Sequence, residues 1–341
     1  MSPILFLIVR KRWGHNTGIV KRGLRELKGL ALSEQYFFEV CMPMIEEKFS
    51  ACRERIAAGL IGDGSECFGF DDEMSRDHDW GPAFCVWLTN EDYMEFGSAL
   101  AGEIDRLPRE FAGVAPRKES VWGSDRTGVF ETGAFYKRFI GFDHVPKDLR
   151  EWQVIPEENL AAATNGKVFR DPVGEFTAFR RRLKKFYPED IRLKKIASRC
   201  MTMAQSGQYN YNRCIQRGEY VAARLAEAQF IGDAISMVFL LNRQYKPFYK
   251  WMHRAMMQLP VLGANIHGLL SDLVSNGRKE PQNAVYVRKG RLMEKACRYI
   301  IEELKRERLS DSESDFLLDH GPVVQEKIGN ARMREMNVWV G

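Results

Sequence analysis

IAAGLIGDGSECFGFDDEMSRDHDWGPAFCVWLT, residues 56–89, is the stretch on which the reading of the chain turns. It opens on a short apolar run, 56–62, that predicts a buried strand. Gly64-Ser65 follows, and after eleven further residues comes Asp77-His78-Asp79. Those three open a second predicted strand region, 77–89, interrupted by Gly81-Pro82. Side chains alternate along a strand, so Asp77 and Asp79 are expected on one face, about 7 Å apart, with His78 on the other. Two carboxylates on one edge can share divalent cations. A glycine at 64 lets backbone N–H groups come close to phosphate oxygens, and the Ser65 hydroxyl adds a donor. Metal-binding carboxylates on one side and a Gly-Ser turn on the other are the parts a phosphoryl-transfer site needs.

Around this stretch, Ser33 reads as an N-cap. Tyr36, Phe37, Val40, Cys41, Met44 and Ile45 follow it at helical spacing. Residues 91–106 form an amphipathic pattern and 108–127 a loop. Residues 128–133 (GVFETG) read as a third strand running into a helix over 135–140. Helix, strand, loop, strand, helix, strand predicts an α+β fold with a small mixed sheet and flanking helices. Beyond about residue 155 long helical patterns take over: 174–186, 188–206, 208–242, 247–258, 262–275 and 289–307. Pro188 and Pro247 suit first-turn positions. The expected organisation is a leader of unassigned role over 1–30, a sheet domain over 31–155, an all-helical domain over 156–308, and a tail over 309–341. No internal repeat is found.

The chain has 341 residues, 45% of them hydrophobic and 28% charged, enough for two packed units and typical of a globular protein. The composition excludes a disordered tail, a collagen-like chain and a disulfide-stapled miniprotein. Fifty-one Lys and Arg against 46 Asp and Glu give a formal charge of +5, too mild to imply nucleic acid. Basic residues concentrate at 10–28 and 180–199, and the loop over 63–79 is acidic. Taken singly, such runs read as solvated faces. The seven cysteines are scattered with no zinc spacing, as expected of reduced thiols. The apolar run 4–9 is far too short for a bilayer and makes a poor signal peptide, so a cytoplasmic protein is expected. No Walker A, GxSxG, HExxH or dinucleotide GxGxxG motif occurs.

The Gly-Ser turn after one strand and the Asp-x-Asp at the next resemble the DNA-polymerase-β-like nucleotidyltransferase superfamily, which includes aminoglycoside and streptomycin adenylyltransferases. The stretches GLALSEQYFFEVCMPMI, residues 59–89, YNYNRCIQRGEYVAARLAEAQF and FLLNRQYKPFYKWMHRAM are similar to a bacterial family of nucleotidyltransferase-like proteins of unknown function. The resemblance implies that Gly64 and Ser65 hold a triphosphate and that Asp77 and Asp79 bind Mg²⁺, two ions in all. The implied reaction moves an NMP group from an NTP, with ATP the first candidate, to an acceptor hydroxyl and releases pyrophosphate. The acceptor is a small molecule or a protein. The alternative is a catalytically silent protein of the same fold that acts with a partner.

The superfamily has a third carboxylate on a later strand, for which Glu131 is the candidate, with Asp143 and Asp171 as alternatives. Asp71-Asp72-Glu73 reads either as an exposed turn or as a site for metal or a cationic substrate. In the helical half, Lys250 and Arg254 share a helix face and are candidates for phosphate, with Arg243 nearby. Tyr209 or Tyr211 is a candidate for stacking on a base, and Arg213 and Arg217 for phosphate. Glu219 is a weaker candidate base. A nucleic-acid module using the 180–199 face ranks last, because aromatic residues are sparse there. Neither a monomer nor a site completed across a dimer is favoured.

Overall fold

The computed structural model describes residues 28–117, 126–275 and 281–341. Most of the leader over 1–30 therefore lies outside the described residues. The fold is α+β: a four-stranded mixed sheet and many helices. The chain forms two compact units. One runs up to Arg138 and takes in Ala162–Arg180; the other comprises Phe139–Ala161 and Arg181–Gly341. The boundary expected at 155–156 falls within the 139–161 segment.

Among the described residues the first helix of the sheet unit is α1 (Gly29–Tyr36), which passes through a π turn, Phe37–Cys41, into α2 (Met42–Lys48). The helix starts four residues before the expected cap. Lys28 occupies the N-cap position, and Ser33 is buried inside the helix with its hydroxyl unpaired. The sheet has the order β3-β2-β1-β4. Strand β1 (Ala57–Leu60) pairs antiparallel with β2 (Cys85–Leu88), with Gly59 opposite Cys85. Strand β3 (Gly128–Glu131) runs parallel to β2, with Cys85 opposite Gly128 and Leu88 opposite Glu131. Strand β4 (Lys167–Arg170) lies antiparallel on the other side of β1.

Both faces of β1 and β2 are buried, which explains their continuous apolar runs. On one face Ala58, Val86 and Leu88 pack with Tyr36, Phe37, Ile45, Phe96 and Leu100. On the other face Trp87 stacks on Phe176 at 3.7 Å between centroids, and Tyr136 stacks on Phe179 at 3.9 Å. Each large side chain so buried contributes on the order of 2 kcal/mol. Helix α3 (Asn90–Asp92), a π turn and α4 (Ser98–Ile104) cover the expected 91–106 helix. Helix α5 (Thr132–Ile140) follows β3 directly, as the sequence predicts.

In the helical unit the elements are α6 (Leu149–Gln153), α9 (Glu189–Met203), α10 (Asn212–Gln216), α11 (Tyr220–Leu241), α12 (Tyr249–Met256), α13 (Gly263–Val274), α14 (Gln282–Arg306), α15 (His320–Glu326) and α16 (Ala331–Arg334). Helices α7 (Glu157–Thr164) and α8 (Glu175–Lys184) each span a boundary between the units. The predicted helix over 208–242 is broken at Gly218, whose φ of +75° ends α10 in a left-handed turn. Helix α9 is buried along nearly its whole length. The tail over 309–341 is part of this unit. Lys194 Nζ on α9 donates to Asn337 O at 2.7 Å, and Ser198 Oγ donates to Trp339 O at 2.9 Å. No helix among the described residues is long and apolar enough to cross a membrane.

Candidate functional site

The loop from Gly62 to Trp80 leaves the end of β1 and returns to the start of β2. Because those strands are antiparallel, Gly64-Ser65 and Asp77–Asp79 both belong to the same end of the β1–β2 pair. Two backbone ties anchor the loop. Gly62 N–H donates to Asn165 Oδ1 at 3.0 Å, and Gly166 N–H donates to Cys67 O at 2.9 Å. Gly166 has a φ of +60°, and a Cβ there would lie 2.0 Å from Leu60 O. Only glycine fits this close approach.

Buried acids fill the inside of the loop. Glu66 is 4% exposed and accepts from Arg117 Nη1 at 3.2 Å. Burial pushes its carboxyl above the ordinary range, and Arg117 pulls it back down. Asp71 accepts from Gly29 N–H at 2.7 Å and from Trp80 Nε1 at 3.1 Å. Lys28 reaches the backbone oxygen of Asp71. The Asp71-Asp72-Glu73 trio therefore divides. Asp71 is a buried tie between the loop and the start of α1, Asp72 accepts from Ser75 N–H at 3.1 Å, and Glu73 is exposed. Gly64 is the N-cap of the short 3₁₀ turn Ser65–Phe68. A Cβ on Gly64 would lie 2.5 Å from the Glu66 carboxylate, so that carboxylate occupies the space the sequence reading gave to a phosphate.

The Asp-x-Asp geometry differs from the expected strand. The segment 77–79 is not extended: Asp77 is helical, with φ −72° and ψ −36°, and Asp79 has φ +52°. The strand begins only at Cys85, because Gly81-Pro82 breaks the run before it. The two-residue alternation that would align Asp77 with Asp79 is therefore absent. Asp77 is 67% exposed and holds His78 Nδ1 at 2.8 Å. Asp79 is 6% exposed and faces Arg126 Nη1 at 3.5 Å.

Glu131 does not join them. It pairs with Leu88 at the far end of the β2–β3 ladder, whereas Arg126, the partner of Asp79, precedes the near end at Gly128. The three residue steps of that ladder span about 10 Å. The Glu131 carboxylate instead accepts from Gly133 N–H at 2.7 Å and Ala134 N–H at 2.5 Å, capping α5. Asp171 likewise caps α8, accepting from Gly174 and Thr177 N–H. Asp143 is paired with His144 at 2.9 Å. Among the described residues no group of three or more His, Cys, Asp or Glu is placed to hold a metal ion.

In the helical unit, Lys250 and Arg254 are both exposed on α12, and Lys250 Nζ lies 4.9 Å from the centroid of the Trp251 ring. Arg213 lies over the Tyr209 ring at 4.4 Å. Tyr209 is exposed, but Tyr211 is buried and has no face for a base. Arg217 is exposed at the end of α10, and Glu219 is exposed as the N-cap of α11. Arg243 is committed to Glu189 at 2.6 Å. The 180–199 run divides: Arg181, Arg182, Lys184 and Lys185 are exposed, as on a solvated face, and the basic residues beyond them turn inward. Arg192, Lys194 and Lys195 are buried, and Arg180 Nη2 donates to the backbone oxygens of Thr164 and Asn165.

What the sequence reading missed is a buried polar cluster in this unit. Glu157, on the first turn of α7, accepts from Ser236 Oγ at 3.0 Å. Lys195, Arg199 and Lys246 surround it, and Asp233 lies 3.7 Å from Arg199. Burial lowers the Lys195 ammonium and raises the Asp233 carboxyl. The signal was the i, i+4 pair Lys195 and Arg199, which shares one helix face.

Residues 152–252, which contain that whole cluster, match a family model described as "Domain of unknown function (DUF4037)". No curated protein matches. Among solved structures, a nucleotidyltransferase-like protein from Exiguobacterium sibiricum 255-15 is similar over 86% of this chain and 89% of that chain, at 11% identity and a TM-score of 0.34. At that score the likeness decides neither fold nor function.

Proposed function

We propose that this protein is of nucleotidyltransferase kind and binds a nucleoside triphosphate, ATP first, with its phosphates toward the loop over 62–81. One observation carries the reading: Gly64-Ser65 and Asp77–Asp79 leave the same end of the antiparallel β1–β2 pair, with β3 parallel to β2 beside them. In this reading an acceptor hydroxyl takes the NMP group and pyrophosphate leaves.

The described residues do not fit a two-Mg²⁺ centre. Asp77 faces His78, Asp79 faces a guanidinium, Glu131 caps a helix at the other end of the ladder, and the Glu66 carboxylate fills the space beside Gly64. No step through a metal is derived. The Asp79–Arg126 pair favours a second reading, a protein of this kind that binds the nucleotide without transferring it.

The test is calorimetry of the four NTPs on the full chain, with and without Mg²⁺, beside Asp77→Ala/Asp79→Ala. Binding of one NTP that weakens at least tenfold in the double variant supports the site. No binding of any NTP to the wild type contradicts it. Release of pyrophosphate on adding a cell extract as acceptor source separates transfer from binding alone.

A further inference from the structure

Glu157 is bracketed by three cations that stand off from it. Lys195 Nζ lies 4.0 Å from Oε1, Arg199 Nη2 3.8 Å from Oε1, and Lys246 Nζ 4.0 Å from Oε2. All three distances exceed hydrogen-bond length. Where this chain builds a structural buried pair it closes it: Lys289 Nζ meets Glu227 at 2.6 Å. Among the described residues only the Ser236 hydroxyl hydrogen-bonds the Glu157 carboxylate, at 3.0 and 3.2 Å to the two oxygens, while it accepts from Arg199 Nε at 3.1 Å.

The two lysines therefore keep their donors. Among the described residues neither ammonium has a hydrogen-bond acceptor, although each carries three N–H groups. A second observation points the same way. The Tyr187 hydroxyl is buried with no hydrogen-bond partner, and its ring lies 5.3 Å from Lys195 Nζ. A buried hydroxyl without a partner is costly unless something supplies one.

We propose that Lys195, Arg199 and Lys246 form a binding site for the oxyanion of a phosphate-bearing small molecule, and that Glu157 is the internal anion that occupies it and is displaced by the ligand. Arg199 and Lys246 each keep 20% of their side-chain surface exposed, so the site opens to solvent on their side, and Lys195, at 8%, forms its floor. Phosphate oxygens would draw the lysine donors in to about 2.8 Å, a contact the present carboxylate does not reach. Ser236 and Tyr187, both buried, supply neutral donors from within. Holding the cations on an internal carboxylate keeps the unit stable when no ligand is present. It also makes Glu157 a competitor, so its removal strengthens binding. This inference does not depend on the nucleotide reading at 62–81.

The experiment is a titration of inorganic pyrophosphate into the full chain, read by calorimetry and by thermal shift at ionic strength held constant with chloride. Saturable binding to the wild type is expected. It should tighten at least tenfold in Glu157→Gln and disappear in Lys195→Met/Lys246→Met. If the double lysine variant does not fold, Lys246→Met alone, at the partly exposed edge, should weaken binding tenfold. The proposal is overturned by no saturable binding to either wild type or Glu157→Gln. It is equally overturned by binding that survives the lysine changes, or by weaker binding in Glu157→Gln.

Discussion

The carboxylate of Asp79 and the guanidinium of Arg126 meet at 3.5 Å beside the near end of the parallel β2–β3 pair, the acid buried and the arginine about a third exposed. Their contact ties the long loop over 62–81 to the chain entering β3. Arg126→Ala leaves a buried carboxylate with one partner fewer. The expected loss is about 1–2 kcal/mol, the size of one partly solvated charge-assisted contact. A urea titration of the variant checks it, and an unchanged midpoint would show that the pair ties nothing.

Gly166→Ala should be far more damaging than a surface glycine change. The φ of +60° alone costs about 1 kcal/mol for a residue with a Cβ, and the added methyl would sit 2.0 Å from Leu60 O. The β1–β4 pairing must part to admit it. The expected loss exceeds about 2 kcal/mol. Gly141→Ala, at φ +79° with open space around it, serves as the control and should lose only the backbone term.

The fold was legible where periodicity was strong and short-range. β1, β3 and the helix after β3 follow from apolar runs bounded by turn residues, and so do α12, α13 and α14. Strand β4 was not legible, because KVFR is only four residues long and becomes a strand by pairing with β1 across more than a hundred residues. The site was less legible than the fold. Asp-x-Asp aligns its carboxylates only if the backbone is extended, and Gly81-Pro82 moved the strand start to Cys85. Glu131 stood on a strand as expected, but at the end where it caps α5. Nor does a sequence distinguish a basic helix that is solvated from one that is buried with partners. Helix α9 is the second kind, with Arg192 held by Glu307 and Lys194 by the C-terminal segment.

Lys194 gives the protein a pH signature. Burial pushes its ammonium down to about 8, while the unfolded chain keeps that proton to about pH 10.4. Between those values the unfolded state binds more protons, so stability contributed by this group rises with pH from about 8 to about 10.4. Below about pH 8 both states are protonated and the full cost of burying the charge is present. The stability of the wild type relative to Lys194→Met should therefore increase by roughly 2 kcal/mol between pH 7.5 and 10. A difference that stays flat across that range contradicts the assignment.

The Lys289–Glu227 pair should behave as a closed structural unit, in contrast to the cluster at Glu157. Both side chains are buried, at 1% and 7% exposure. Among the described residues, Lys289→Met leaves Glu227 with only the exposed Arg224 and should cost about 3 kcal/mol. Replacing both, as Lys289→Met/Glu227→Leu, should recover most of that loss, because the desolvated charge is gone. A double variant as weak as the single would show that packing, not charge, sets the cost.

Hydrogen exchange of the full chain with saturating ATP, with and without Mg²⁺, tests the nucleotide reading most directly. Exchange should slow within residues 62–81, where Gly64-Ser65 and Asp77–Asp79 share one end of the β1–β2 pair. Exchange unchanged throughout 62–81, whether or not protection appears around Lys195 and Arg199, would contradict it.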